Sequence, residues 1–151
     1  MGFKVISNSS KAKFSACHFL KEPLQCSRLH GHNYYISVEI TDKLDNNYFV
    51  VDFIELQKKL VSIVEPLDHY ILIPIESDEL EIVEEKESVE VIVSNKRYVF
   101  PRSDVCFLPL KATTSELLAK YIHDKLKEIY NNKKLIVKVE ESKGSIAIYE
   151  E

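Results

Sequence analysis

Cys26-Ser-Arg-Leu-His30-Gly-His32-Asn-Tyr34-Tyr-Ile36-Ser-Val38-Glu-Ile40-Thr41 holds a thiol and two imidazoles within seven residues and runs straight into an apolar alternation. Tyr34, Ile36, Val38 and Ile40 fall on one face of a strand, and Tyr35, Ser37, Glu39 and Thr41 on the other. Carried backward, the same period sets His30 and His32 on the apolar face. Neighbours on one face of a strand are about 6.6 Å apart, a span across which two long imidazoles can converge on one ion. Imidazoles aimed at a core need partners, because an unpaired buried polar group costs free energy. The stretch reads as half of a metal site with a thiol beside it.

The residues before it supply the other half. Positions 3–20 read as one long strand, bent near Asn8-Ser9-Ser10, with Phe14, Ala16, His18 and Leu20 on one face and Ser15, Cys17 and Phe19 on the other. His18 then joins His30 and His32 on compatible faces of paired strands. Three neutral imidazoles with one position left open is the donor set of a catalytic zinc site, whereas a fourth protein ligand makes such a site structural. Cys26, four residues before His30, suits either use: that fourth ligand, or a thiolate base beside an open metal position. Cys17 and Cys106 read as inert thiols.

Beyond Thr41 a polar turn leads to a short extended piece, Tyr48-Phe-Val-Val51, and then to a helix opened by Asp52, with Glu55 placed as in a capping box. Phe53, Leu56, Leu60 and Ile63 make its buried stripe, and Pro66 stops it. Asp68-His69 follows in non-helical chain, a carboxylate beside an imidazole whose tautomer it can set. Residues 76–108 are acidic at the front, and Val89–Val93 and Arg97–Phe100 flank Ser94-Asn95-Lys96 as a hairpin.

A second helix begins near Thr113, again with a capping-box glutamate at Glu116. Its inner face is Leu118, Ile122, Leu126 and Ile129, and His123 falls on the solvated side. Two strands, 134–141 and 145–150, close the chain around Lys143-Gly144. On the first of them Glu141 shares a face with Leu135, Val137 and Val139. An inward carboxylate of this kind is tolerated only where something donates to it, and a ligand with two parallel N–H groups would do so bidentately. Hairpin-joined strands at both ends, with helices grouped between them, predict an α+β fold on an antiparallel sheet.

At 151 residues, 45% apolar and 29% charged, the chain suits one domain, residues 1–151, with 76–108 inserted in it. A net charge of −4 without any basic run speaks against a nucleic-acid partner. No apolar run approaches a membrane span, and Met1-Gly-Phe-Lys-Val-Ile is too short and polar for a signal peptide. Three cysteines, an odd number without framework spacing, suit reduced thiols in a cytoplasmic protein.

Phe14-Ser-Ala-Cys-His18-Phe-Leu, Cys26-Ser-Arg-Leu-His-Gly-His32, Val51-Asp52-Phe53, Leu67-Asp-His69, Thr114-Ser-Glu-Leu-Leu-Ala119 and Glu141-Ser142, taken in this order, resemble the 6-pyruvoyltetrahydropterin synthase / 6-carboxytetrahydropterin synthase family. The resemblance covers most of the chain except residues 76–108, which separate Leu-Asp-His from the second helix more widely than in typical members. It implies a T-fold subunit (ββααββ), in which two helices pack on a four-stranded antiparallel sheet, here with a hairpin inserted between the helices. It also implies homo-oligomers, trimers stacking into hexamers, with sites between subunits.

Zinc on His18, His30 and His32, Cys26 as general base, and Asp68 with His69 completing a proton relay are implied in the same way. Glu141 would anchor the pterin edge, assisted by Thr114 and Ser115. The implied substrate is 7,8-dihydroneopterin triphosphate. Three residues between Cys26 and His30 look like the carboxytetrahydropterin branch, which releases acetaldehyde and leads to 7-deazapurine nucleosides of transfer RNA. The pyruvoyl branch usually has a longer gap there. A third branch, making a hydroxymethyl pterin, carries a glutamate near the thiol, and residues 27–29 hold no acid. Arg28 matches the carboxytetrahydropterin branch and is a candidate contact to an anionic part of the substrate. A non-catalytic subunit whose structural zinc is closed by Cys26 is the remaining alternative; it leaves Asp68, His69 and Glu141 without employment.

Overall fold

A computed structural model describes residues 2–151. The strand expected over 3–20 is bent, as Asn8-Ser9-Ser10 suggested, into β1 (Phe3–Ser7) and β2 (Lys13–His18). Both halves pair antiparallel with the long β3 (His30–Asp42), β1 against its second half and β2 against its first. At the far end of the chain β9 (Lys134–Ser142) and β10 (Ser145–Glu150) form the closing hairpin, and β9 lies against the other edge of β3. The bent β1/β2, β3, β9 and β10 are the four antiparallel strands expected.

Two more strands extend the sheet beyond that expectation. β4 (Tyr70–Pro74) runs parallel to β2, and β8 (Val105–Leu108) runs parallel to β4, giving the order β10-β9-β3-β2-β4-β8. Neither carries the polar alternation of a half-exposed strand. Leu72 and Ile73 are buried as consecutive residues, the pattern of a strand covered on both faces. Tyr48–Val51, in contrast, forms no strand: Tyr48 turns left-handed at φ 67° and Val50 and Val51 plug the core from a loop.

α1 (Phe53–Val64) and α2 (Ser115–Ile129) cover one face of the sheet. Asp52 caps α1 as expected, its carboxylate accepting from the Ile54 and Glu55 amides. The buried stripe is Leu56, Leu60 and Val64, while Phe53, at the first helical position, stays exposed. Those side chains, with Leu118, Ile122 and Leu126 of α2, pack on Phe14, Tyr34, Ile36, Val38, Leu135, Val137 and Val139. Phe14 and Tyr34 stack across β2 and β3 with ring centroids 4.7 Å apart.

Two details of α2 depart from the sequence reading. Thr114, not Thr113, is the N-cap, accepting from the Leu117 amide, and Thr113 is buried just before the helix. His123 is buried rather than solvated, its ring edge-on to Tyr149 at 4.8 Å, because β10 as well as β9 lies under the helix and widens its buried arc. Ile129 in the last turn remains exposed.

Residues 76–108 do more than form a hairpin. β6 (Ser88–Val93) and β7 (Lys96–Pro101) turn at Ser94-Asn95 as expected, and β5 (Glu81–Glu84) adds a third strand. This small sheet buries Val89, Val91 and Phe100 against Phe19 and Ile73, a second apolar cluster beside the main core. Among the described residues no helix is long and apolar enough to cross a membrane.

Glu39 on β3 is a carboxylate brought nearly out of solvent between Lys138 of β9 and Lys4 of β1. The Lys138 and Lys4 ammonium groups hold its carboxyl below the ordinary 4.5. A carboxyl lowered on folding stabilises the folded state above its unfolded value and loses that contribution as pH falls through the lower folded value. Glu39→Gln is therefore expected to lower the urea midpoint at pH 7, with the gap to the parent closing as pH falls below 4.5. Equal gaps at both pH values would refute the electrostatic account.

Candidate active site

The register of β2 on β3 sets His18 opposite His30 and Ala16 opposite His32. With a period of two, all three imidazoles then rise from one face of two adjacent strands. Their ligand nitrogens lie within 4.8 Å of one another, His18 buried and His30 and His32 half-buried.

Two of the rings have their tautomer set by the backbone. His18 Nδ1 donates to the Thr113 carbonyl at 2.9 Å, and His30 Nδ1 donates to the Arg28 carbonyl at 2.6 Å. A carbonyl oxygen only accepts, so the proton is on Nδ1 and the Nε2 lone pair is free to ligate. Burial, followed by the neighbouring His30, pulls His18 down to about 4, and burial lowers His32. His18 and His32 are thereby biased toward the neutral form that binds metal. The donor set fits a divalent transition ion with one side open.

Glu141 faces that side. The β9–β10 register slips so that Ser142 opposes Ser145 and Glu140 opposes Ile146, leaving Glu141 as the bulged residue between them. It keeps the inward face of Leu135, Val137 and Val139, all buried, and carries Oε1 to 3.2 Å from His32 Nε2 and 3.5 Å from His18 Nε2. Behind it a cavity of about 540 Å³ is lined by Leu20, Thr114, Ser115, Glu141 and the β9–β10 turn. The Ser115 hydroxyl is buried without a hydrogen-bond partner among the described residues, an orphan of the kind a ligand satisfies. The structure thus brings His18, His30, His32, Glu141, Thr114 and Ser115 to one place.

Cys26 sits half-buried in a 3-10 turn, Leu24–Ser27, and its sulfur is not among the three converging ligand atoms. Arg28 is exposed; its carbonyl serves His30, and its guanidinium makes no ion pair among the described residues.

Asp68 and His69 lie elsewhere. Asp68 Oδ1 accepts from the Ser15 amide at 2.8 Å and Oδ2 from His69 Nδ1 at 2.9 Å, which leaves His69 Nε2 free to exchange a proton. The Ser15 amide, more than the ring, holds the Asp68 carboxyl below its usual range. His69 is left-handed at φ 65°, a conformation rare for a residue with a side chain, and its amide is pinned to the Ser15 carbonyl at 2.6 Å. The exposed ring lines a cavity of about 420 Å³ with Ser15, Cys17, Asn33 and Asp104. Ser15, Cys17 and Asn33 alternate with Ala16, His18, His30 and His32, so their side chains point to the opposite face of the sheet from the histidine triad, and Ala16 and His32 also border this cavity.

Sequence reasoning missed Thr113, whose carbonyl and hydroxyl, at 2.9 and 3.1 Å, both meet His18. Its signal was the Thr-Thr-Ser run, in which any member could cap the helix and the one released from capping is free to turn inward. Tyr34, read only as core, brings its hydroxyl to 3.3 Å from His18 Nε2.

The fold and site define a class: an α+β T-fold subunit bearing three convergent histidines beside a polar cavity. The sequence matches the family model of 6-pyruvoyl tetrahydropterin synthase over residues 8–151. The chain belongs to this family, whose members are lyases of the tetrahydropterin-synthase type. A Methanocaldococcus jannaschii protein, provisionally named a 6-carboxy-5,6,7,8-tetrahydropterin synthase, is 31% identical over 91% of this chain and 88% of its own. The 6-carboxy-5,6,7,8-tetrahydropterin synthase of Aquifex aeolicus is 33% identical over 69% of this chain and 58% of its own. The crystal structure of 6-pyruvoyl tetrahydropterin synthase from Plasmodium vivax superposes with a TM-score of 0.92 at 26% identity, covering 100% of this chain and 98% of that one.

Alanine at His18, His30 or His32 is expected to abolish stoichiometric binding of a divalent transition ion, read by chelator competition. Thr113→Val, which keeps the carbonyl contact to His18, should weaken the ion by no more than about tenfold. A Thr113→Val loss as complete as that of His18→Ala would show that the hydroxyl, not the carbonyl, orients the ring.

Proposed function

We propose that the chain is a zinc-dependent lyase converting 7,8-dihydroneopterin triphosphate and one water to 6-carboxy-5,6,7,8-tetrahydropterin, with release of acetaldehyde and triphosphate, on the way to 7-deazapurine nucleosides of transfer RNA. The observation that carries this reading is the histidine triad, with the tautomers of His18 and His30 set and Glu141 and the Thr114–Ser115 cavity at its open side. An all-imidazole donor set of three suits zinc with a position left for substrate. When bound, zinc would supply Lewis acidity toward the side-chain oxygens of the substrate.

The chain's own residues carry the rest. Glu141 accepts from the amino-pyrimidine edge of the pterin, with Thr114 and Ser115 beside it. The Cys26 thiolate removes the proton made acidic next to a substrate oxygen, and His69, oriented by Asp68, returns one elsewhere. Arg28 is a candidate contact to the triphosphate. The exclusion of Cys26 from the ligand cluster favours its use as base over closure of a structural site.

Because the Asp68–His69 pair opens on the opposite sheet face from the triad, the relay of one subunit serves the metal site of a neighbour in a homo-oligomer, a trimer or hexamer. We read residues 1–151 as one domain with 76–108 as an insertion in it. Three free thiols suit a cytoplasmic enzyme. A second reading stops at 6-pyruvoyltetrahydropterin after triphosphate elimination, and the likeness to the P. vivax structure favours it. The relatives from M. jannaschii and A. aeolicus, together with the three residues between Cys26 and His30, favour the carboxy product.

Zinc-loaded protein incubated with 7,8-dihydroneopterin triphosphate separates the two by mass spectrometry. Acetaldehyde with 6-carboxytetrahydropterin is expected, and a pyruvoyl product alone sinks the first reading. Cys26→Ala should retain one zinc per chain and lose turnover by at least about a hundredfold. Zinc loss in that variant would make Cys26 a ligand. Reassembling Cys26→Ala with His69→Ala subunits should restore activity, to roughly a quarter of parent at equal mixing, if relay and base come from different subunits.

A further inference from the structure

The turn that carries Cys26 is held at several points. The Cys26 and Ser27 amides donate to the Pro23 carbonyl at 2.9 and 3.0 Å, and the Leu20 amide, just past β2, donates to the Cys26 carbonyl at 2.8 Å. The Ser27 hydroxyl donates to the Leu24 carbonyl at 2.6 Å. All of these bonds are local to residues 20–27.

One restraint comes from far along the chain. Lys96, the first residue after the Ser94-Asn95 turn of the β6–β7 hairpin, lays its half-buried ammonium on the Ser27 carbonyl at 3.0 Å and on the Ser27 hydroxyl at 3.3 Å. Its β6–β7 sheet is itself anchored to the body of the protein through Phe19, Ile73, Val89, Val91 and Phe100. A rigid element therefore reaches over and fixes the peptide immediately after the thiol. From that peptide the chain runs one residue to the Arg28 carbonyl, which orients His30.

We propose that the tip of the 76–108 segment is a clamp on the Cys26 turn, with Lys96 a positioning residue that holds the thiol in register with the histidine triad. The catalytic consequence rests on the reading of Cys26 as base; the clamp itself rests on the Lys96–Ser27 contacts. A charge-assisted bond to a carbonyl that no helix or sheet uses is a specific restraint, and a misplacement of about 1 Å at a reacting group costs about a hundredfold in rate. A solvent-facing lysine at a hairpin tip would leave the turn free to move.

The test uses the full chain loaded with zinc, comparing parent, Lys96→Met, Lys96→Gln and Lys96→Arg. Deuterium exchange of the peptide covering residues 20–27 is read beside turnover of 7,8-dihydroneopterin triphosphate. In Lys96→Met and Lys96→Gln the amides of Leu20 and Cys26 should exchange about tenfold faster, with β9 unaffected and zinc retained. Their kcat should fall about tenfold or more, with KM changed less than twofold, and Lys96→Arg should recover most of it.

Unchanged exchange in this peptide overturns the clamp, whatever the activity. Faster exchange throughout the protein overturns it too, since Lys96 would then be merely a stability residue. Turnover retained in Cys26→Ala would instead remove the base reading, and the clamp would then stand or fall on exchange alone. Loss of turnover in Cys26→Ala together with full kcat in Lys96→Met overturns the positioning role and leaves the base intact.

Discussion

Everything at the centre of this protein hangs on one cross-strand register, His18 against His30 on β2 and β3. A slip of one residue would send His18 to the other face and replace it with Cys17 or Phe19. The register is held by what lies deeper along the same strands: Phe14 stacked on Tyr34, then Ile36, Val38 and Ile40 under the two helices. The apolar half of the alternation thus fixes the polar half, and the core orients the imidazoles before any ion arrives. Thr113 and Arg28 complete the arrangement with backbone carbonyls, acceptors that no side-chain rotation can withdraw.

The same two-residue period separates the two parts of the proposed chemistry. Residues of β2 that point toward the helices line the triad, and those between them floor the cavity where His69 stands. A single sheet two side chains thick cannot bring both faces to one substrate. The division is why the proposed relay calls for a neighbouring subunit. The left-handed His69 is held by Ser15, whose amide donates to the Asp68 carboxylate just before it and whose carbonyl accepts from the His69 amide itself.

Residues 76–108 enlarge the body of the molecule without disturbing this plan. β8 joins the open edge of the sheet beside β4, so the strand that would have been an exposed edge is paired. The small β5–β6–β7 sheet buries its own apolar face on the strands it emerges from, and its tip returns to the turn before His30. A segment that reads as an acidic digression is therefore tied into the neighbourhood of the site at its apolar base and at its tip.

The alternation of residues 30–41, and of 13–18 before it, was enough to determine the antiparallel core and the convergence of three histidines, because side-chain direction in a strand follows from sequence parity alone. The helices were legible for a similar reason: Asp52 and the spacing of Leu56 and Leu60 act within a single turn. What depended on distant chain was not legible. The parallel pairing of β4 and β8 is a choice of partner, the burial of His123 follows from β10 passing beneath α2, and the release of Thr113 from capping follows from His18 lying within its reach. Inward Glu141 was read from parity, but its approach to His32 came from a bulge set by the register of β10. Faces belong to the sequence, whereas partners and opposite sides of a sheet exist only once the chain has closed on itself.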